Sequence, residues 1–290
     1  MTRLIRKVYR SLPVIRELQH AHSQRNELRE KLSKLIILQQ ELFYARCIDQ
    51  QKYMCPLRLT RHEHQVYSQH GEDGIIAEVL RRVGTSRKVF LEIGVGDGLE
   101  NNSAFLLAQG WTGCWLEGSN ACCDKIRRGF KRQMASGSLT LKQSFITREN
   151  INSLVEGWEA VDVLSIDIDL NTYYIWEAIR HIGARLIVVE YNGTVPPSVD
   201  WKARYDANGW WDGSNYMGAS LKAYELLGIK LGYSLVGCDI SGTNAFFVRN
   251  DLVEGRFHGP FTAEEHFEPA RYWLDRRNGH PIGYGDFLHA

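Results

Sequence analysis

The chain has 290 residues, 44% of them hydrophobic, and its 35 lysines and arginines nearly balance 34 aspartates and glutamates, for a formal charge of +1. That length supports one large domain with an appendage, and the near-neutral balance excludes a polyelectrolyte footprint, so no nucleic-acid partner is expected. Six cysteines (Cys47, Cys55, Cys114, Cys122, Cys123 and Cys238) have neither zinc-site spacing nor disulfide-scaffold density and read as reduced thiols; Cys122 and Cys123 are either a redox pair or packed neighbours on one helix turn.

Residues 1 to about 45 have helix composition. Val14, Ala21, Leu28, Leu35 and Leu42 recur at intervals of seven, flanked by Leu18 and Leu32, although Arg25 and Gln39 fall in the same register. Such a helix docks on the body or on a second copy, giving a homo-oligomer. Alternatively it lies on the inner face of a membrane, because Arg3, Arg6, Lys7, Arg10 and Arg16 come with no acid among them. Arg6, Lys7 and Arg10 interrupt any signal-peptide core, and no apolar run approaches the roughly 20 residues of a membrane span, so the expected location is cytoplasmic.

After a linker at about 46–66, helix and strand signals alternate: HGEDGIIAEVLRRVG (helix), KVFLEI (strand), NNSAFLLAQG (helix) and GCWLEG (strand). A helix near 119–135, the strand LTLKQ, a helix near 148–158, the strand VDVLSID, a helix near 173–182 and the strand RLIVVEY follow. This predicts an α/β fold, a doubly wound and mostly parallel sheet with helices on both faces. A Trp-, Gly- and Asn-rich loop (196–218) leads to the helix ASLKAYELLGIKLG and then to YSLVGCDISGTNAFFVRN, two strands in hairpin relation. The division expected is a helical extension and linker at 1–65, a domain at 66–250 and a tail at 251–290 packed on it.

In EIGVGDG, Gly94, Gly96 and Gly98 let the backbone approach a ligand closely. The third glycine comes one residue too early for the usual dinucleotide fingerprint, and Glu92 just before the turn repels pyrophosphate while suiting a cationic amino group such as that of S-adenosylmethionine. Glu117, about 25 residues on at the next strand end, is placed to accept both ribose hydroxyls. Gln143, Ser144 and Phe145 end the third strand, where an adenine would lie; packing in the core is the competing account of Phe145.

YSQHGEDGII, VFLEIGVGDGLENNSAFLLAQGWTGCWLEG, DVLSIDIDLNTYYIW, VVEYNG, GASLKA and NAFFVR, in this order across about residues 66 to 250, resemble the FkbM-like class I methyltransferases. The resemblance implies a seven-stranded, Rossmann-like sheet with a terminal hairpin, S-adenosylmethionine as methyl donor, and O-methylation of a sugar hydroxyl on a polysaccharide or glycosylated metabolite. Gln69, Asn102 and Asp167 complete the expected donor contacts, with Gln69 equally open to a helix-capping role.

A sugar hydroxyl needs a base or a metal to lower its pKa. Asp169, Glu190 and His70 are the candidate bases. Asp169, Glu190 and Asn192, hard oxygen ligands after adjacent strands, are the candidate magnesium set, against the alternative of turn capping. The family pattern Asp-Ile-Asp-Gly-Asn-Asp-Tyr reads here as Asp167 to Tyr173, with Leu170 for the glycine and Thr172 for the last acid, so Thr172 cannot serve as a base. Tyr173, Trp201, Tyr205 and Trp211 are candidate platforms for a saccharide acceptor, with loop packing as the alternative. Two other functions stay open: a binding protein on the same fold whose catalysis is weakened, and a dinucleotide-dependent oxidoreductase.

Overall fold

The computed structural model describes residues 13–179, 181–274 and 283–285. The expectations resting on Arg3, Arg6, Lys7 and Arg10 lie outside them. Two compact units emerge, Met1–Cys47 and Ile48–Ala290. The first is the helix α1 (Pro13–Ile48), with Lys31–Glu27 and Lys34–Glu30 ion pairs one turn apart on its surface. Among the described residues no helix is long and apolar enough to cross a membrane.

In the second unit, residues 48–65 are packed rather than free: Tyr53 and Leu59 are buried, and the Tyr53 hydroxyl donates to the buried Glu268 carboxylate. The elements that follow are α2 (Glu72–Val83), β1 (Val89–Ile93), α3 (Ala104–Ala108), β2 (Thr112–Glu117), α4 (Asn120–Gly129), α5 (Lys131–Ala135) and β3 (Leu139–Gln143). Then come α6 (Ile151–Leu154), β4 (Val163–Ile166), α7 (Thr172–Ala178), β5 (Leu186–Glu190), α8 (Leu221–Leu231), β6 (Tyr233–Cys238), β7 (Asn244–Arg249) and α9 (Ala263–His266). The helix expected at 119–135 breaks where Phe130 turns into the core, and those expected at 148–158 and 173–182 shorten to α6 and α7.

The seven strands form one sheet in the order β3-β2-β1-β4-β5-β7-β6. The first five are mutually parallel, and β7 runs antiparallel to both β5 and β6. The fold expected from alternation is therefore present. Side chains alternate across the sheet, so Phe90 packs with Ile75, Val79 and Trp115 on the α2 face, while Leu91 joins Trp176, Tyr224 and Phe247 on the other. The order reverses between β1 and β4, which opens a crevice at their carboxyl ends, the usual ligand position in open α/β sheets. All six cysteines are free.

At the opposite end of the sheet, Asp162 is fully buried and gathers the turn before β1: it accepts from the Ser86 amide and hydroxyl and from the amides of Arg87 and Lys88. Asp162→Ala strands these donors and is expected to lower the unfolding free energy by about 2 kcal/mol. A denaturant titration reads this as an earlier midpoint at unchanged slope, and an unshifted midpoint refutes it.

Candidate functional site

The loop after β1 is tied down from beneath. Glu92, 2% exposed, accepts from the Asn102 amide at 2.8 Å, the Ser103 amide at 3.0 Å, the Asn101 side-chain amide at 2.6 Å and the Ser103 hydroxyl. These are donors at the start of α3, where a pyrophosphate would otherwise sit. Glu92 borders the ligand cavity, but the free carboxylate expected for an amino group is committed to its own loop. Gly94, at φ 81°, has no room for a side chain, because a Cβ there would fall 1.7 Å from the Asp167 carbonyl oxygen. That close approach carries Asp167 to the centre of the crevice.

Two cavities share Gly94, Gly96 and Asp167. One, of about 310 Å³, is lined by Glu117, Gly118, Ser119, Phe145, Ile146, Asp169 and Asn171, and closed by Gly209, Trp210 and Trp211. The Glu117 carboxylate is held by the Val95 and Gly96 amides at 3.1 and 2.8 Å and by the Ser119 amide at 2.7 Å. The other cavity, of about 270 Å³, is lined by Gln69, Glu72, Glu92, Asp97, Glu100, Asn101, Asn102, Thr243 and Asn244. Among the described residues no lysine, arginine or histidine lines either one. Asn101, 7% exposed, leaves its Oδ1 without a partner.

Asp167, Asp169 and Glu190 bring carboxylate oxygens within 4.8 Å of one another. Asp167 and Asp169 are solvent-exposed on the cavity wall, whereas Glu190 is half-buried behind them. Burial, then Asp167 and the hydrogen bond between the two, pushes the Glu190 carboxyl well above the ordinary range. The hydrogen bond between them raises Glu190 and lowers Asp167, so Glu190 is the donor and Asp167 the acceptor. Asp167 itself is raised to about 6 by burial and by Asp169. Burial alone raises Asp169, whose backbone sits in the left-handed region at φ 54°, a conformation that asparagine and aspartate tolerate best among side-chain-bearing residues. Beneath the acids the buried Tyr224 phenol is pushed well up by burial and by Glu190 and Asp167.

The raised Glu190 carries a pH signature. A carboxyl whose folded pKa exceeds its unfolded value contributes stability below the unfolded pKa, about 4.3, and loses it as pH rises through the folded one. Glu190→Gln keeps a donor toward Asp167 and cannot ionise. The melting temperature of the variant relative to the unsubstituted protein is expected to rise from pH 4 to pH 8, and a pH-independent difference would overturn the assignment.

Several expected site residues lie elsewhere. His70 is buried, lines neither cavity and directs Nδ1 to the Leu274 carbonyl at 3.3 Å, so it is no base for a substrate. Asn192 is fully buried; its amide donates to the carbonyls of Asn215 and Met217 and its oxygen accepts from Thr194, which removes it from the metal set. Gly98 lines neither cavity, because its Cα faces the Trp115 and Phe130 rings. Ser144 turns its hydroxyl to the Phe145 carbonyl and also stays outside. Tyr173 is buried among Tyr174 and Tyr224, drawn in by the apolar face of α7. Trp201 packs on Tyr216, and Tyr205 binds Glu149 at 2.6 Å under the Arg148 guanidinium, so both anchor the loop. His266 is buried and held down to about 3 by burial and Arg58.

Gln69, Glu92, Gly94, Gly96, Asn102, Glu117, Phe145, Asp167, Asp169 and Trp211 do border the cavities. Trp210, whose ring lies 5.5 Å from Phe145, stands beside Trp211 on the rim. Leu170 and Thr172 support this rim. Leu170 reaches under Gly209, and the Thr172 hydroxyl accepts from the Ile168 amide at 3.0 Å, closing the turn that presents Asp169.

No family model matches the sequence, and no curated protein matches it. Among solved structures, the chain is similar to the CcbJ methyltransferase from Streptomyces caelestis at 15% identity and a TM-score of 0.40, covering 67% of this chain and 96% of that one. A putative caffeoyl-CoA O-methyltransferase from Staphylococcus aureus aligns at 14% identity and a TM-score of 0.42, over 60% and 81% of the two chains. The glycopeptide N-methyltransferase MtfA, complexed with S-adenosyl-L-homocysteine, aligns at 13% identity and 0.40, over 66% and 90%. At these identities and scores the similarity transfers no residue role to this chain.

Proposed function

We propose that the chain is an S-adenosylmethionine-dependent methyltransferase and that its acceptor is a sugar hydroxyl of a glycan, polysaccharide or glycosylated metabolite. The observation that carries the donor assignment is that every charged side chain lining the two adjoining cavities is acidic. An anionic dinucleotide meets Asp167, Glu72 and Asp97 there, and the amides that would seat its pyrophosphate already bind Glu92. A cationic sulfonium and ammonium suit the same walls. The unpartnered Asn101 Oδ1 is an acceptor for an ammonium, Glu117 for ribose hydroxyls, and Phe145 is a face for a base.

When bound, the donor supplies an electrophilic methyl on a positively charged sulfur. The protein's part is alignment, which carries much of the catalysis in a direct displacement. Asp169 accepts the proton of the acceptor hydroxyl as its oxygen bonds to the methyl carbon and the sulfur–methyl bond breaks. Its raised pKa makes it a better base than an ordinary aspartate. The hydrogen bond from Glu190 keeps Asp167 oriented. Trp210 and Trp211 offer apolar faces to a sugar ring beside Asp169.

The spacing of Asp167, Asp169 and Glu190 also fits a divalent cation with oxygen ligands, such as magnesium. Held there, it would lower the pKa of the acceptor hydroxyl and displace the Glu190 proton. Calorimetry with S-adenosylmethionine and S-adenosylhomocysteine, with and without magnesium, tests the donor assignment. Micromolar binding of both is expected; binding of NADH instead would revive the oxidoreductase reading. Donor binding without turnover on any glycan would favour the non-catalytic binding protein.

A further inference from the structure

We infer that α1 is a self-association helix that pairs antiparallel with α1 of a second copy of this chain. The helix is 36 residues long and leaves Leu18, Leu28, Leu32, Leu35, Ile36 and Leu42 between 49 and 67% exposed. Val14, Ala21, Leu28, Leu35 and Leu42 recur every seven residues, and Leu18 and Leu32 sit four residues after Val14 and Leu28. A seven-residue repeat drifts around a straight helix by about 20° per heptad, so it stays in register only against another helix that supercoils with it. A helix lying on a globular body has no reason to keep that period.

The polar positions argue against a membrane surface as the occupant. An interfacial helix carries a basic polar face, whereas Glu17, Glu27, Glu30 and Glu41 are interspersed here with Arg25, Arg29, Lys31 and Lys34. Glu27 and Glu30 pair with Lys31 and Lys34 at 2.7 and 2.6 Å, which neutralises those lysines on the helix itself. Burying the six apolar side chains from two helices removes on the order of 1,000 Å² from water, near the lower edge of what a specific dimer needs.

Direction follows from the two polar residues in the seam. A parallel pair in register sets Arg25 against Arg25 and Gln39 against Gln39, and leaves a gap between two Ala21 methyls. An antiparallel pair sets Leu28 against Leu32 and Leu18 against Leu42. It also fits Gln39 over the small Ala21 and lays the Arg25 stem across Leu35, with the guanidinium reaching solvent. Only the second arrangement separates the two seam arginines and sets Gln39 against the small Ala21.

Sedimentation of the full-length protein is expected to give a dimer of micromolar affinity that Leu28→Asn/Leu35→Asn weakens by roughly tenfold or more, with circular dichroism confirming that the variant remains helical. In mild oxidant, Leu28→Cys protein mixed with Leu32→Cys protein is expected to form a mixed disulfide faster than either variant links to itself. A monomer throughout, a dimer indifferent to the double substitution, or sedimentation only with phosphatidylserine vesicles overturns the inference. Faster self-linking of each cysteine variant overturns the antiparallel direction.

Discussion

Asp169→Asn is expected to lower methyl transfer by about 10²- to 10⁴-fold, the usual cost of losing a general base, while donor affinity stays within about threefold. The asparagine preserves shape and tolerates the left-handed backbone at φ 54°, so the fold survives the change. What it removes is the one carboxyl of the triad that lines the aromatic-walled cavity without serving Glu190 as hydrogen-bond acceptor. Single-turnover release of S-adenosylhomocysteine with a glycan acceptor, beside calorimetric donor binding, separates the two effects. A variant that turns over at the normal rate would show that Asp169 moves no proton.

Glu117→Ala is expected to weaken donor binding by about 100-fold or more, because on the proposed assignment it removes the acceptor for the ribose hydroxyls, and it releases three backbone amides. The Val95, Gly96 and Ser119 amides that Glu117 now holds would lose their shared acceptor, so the glycine loop loosens as well. Glu117→Gln retains oxygen acceptance at one atom and is expected to fall between. An affinity unchanged in both variants would remove the ribose assignment and with it the donor reading.

The parallel half of the fold was legible because each of β1 to β5 is a short apolar run followed by a helical repeat and a glycine or polar turn. Gly94, Gly96, Glu117 and Asp167 were legible for the same reason: strand ends next to glycines are where an open sheet receives ligands. What the sequence hid was direction. Glu92 is an acid in the right place, but its hydrogen bonds to Asn101, Asn102 and Ser103 depend on how the loop doubles back. His70, Tyr173 and Asn192 are polar or aromatic residues beside the crevice in sequence, yet burial and competing partners point them away from it. The same ambiguity separates Trp210 and Trp211, which line the cavity, from Trp201, which does not.

Asn244 and Thr243 were hidden for a topological reason. The hairpin was apparent, but not that β7 inserts between β5 and β6, which sets Asn244 opposite Glu190 and brings its side chain to the Glu72 carboxylate at 2.6 Å. That insertion also imposes an order in time. During synthesis on the ribosome, the glycine loop and all five parallel strands emerge before the wall that completes the acidic cavity. A stalled nascent chain ending at Cys238 is therefore expected to present β5 as an unpaired, aggregation-prone edge and to bind no donor. Donor capture should begin only when residues 244–249 clear the exit tunnel, so β7, made after the parallel strands, acts as a checkpoint on whether the glycine loop can be used.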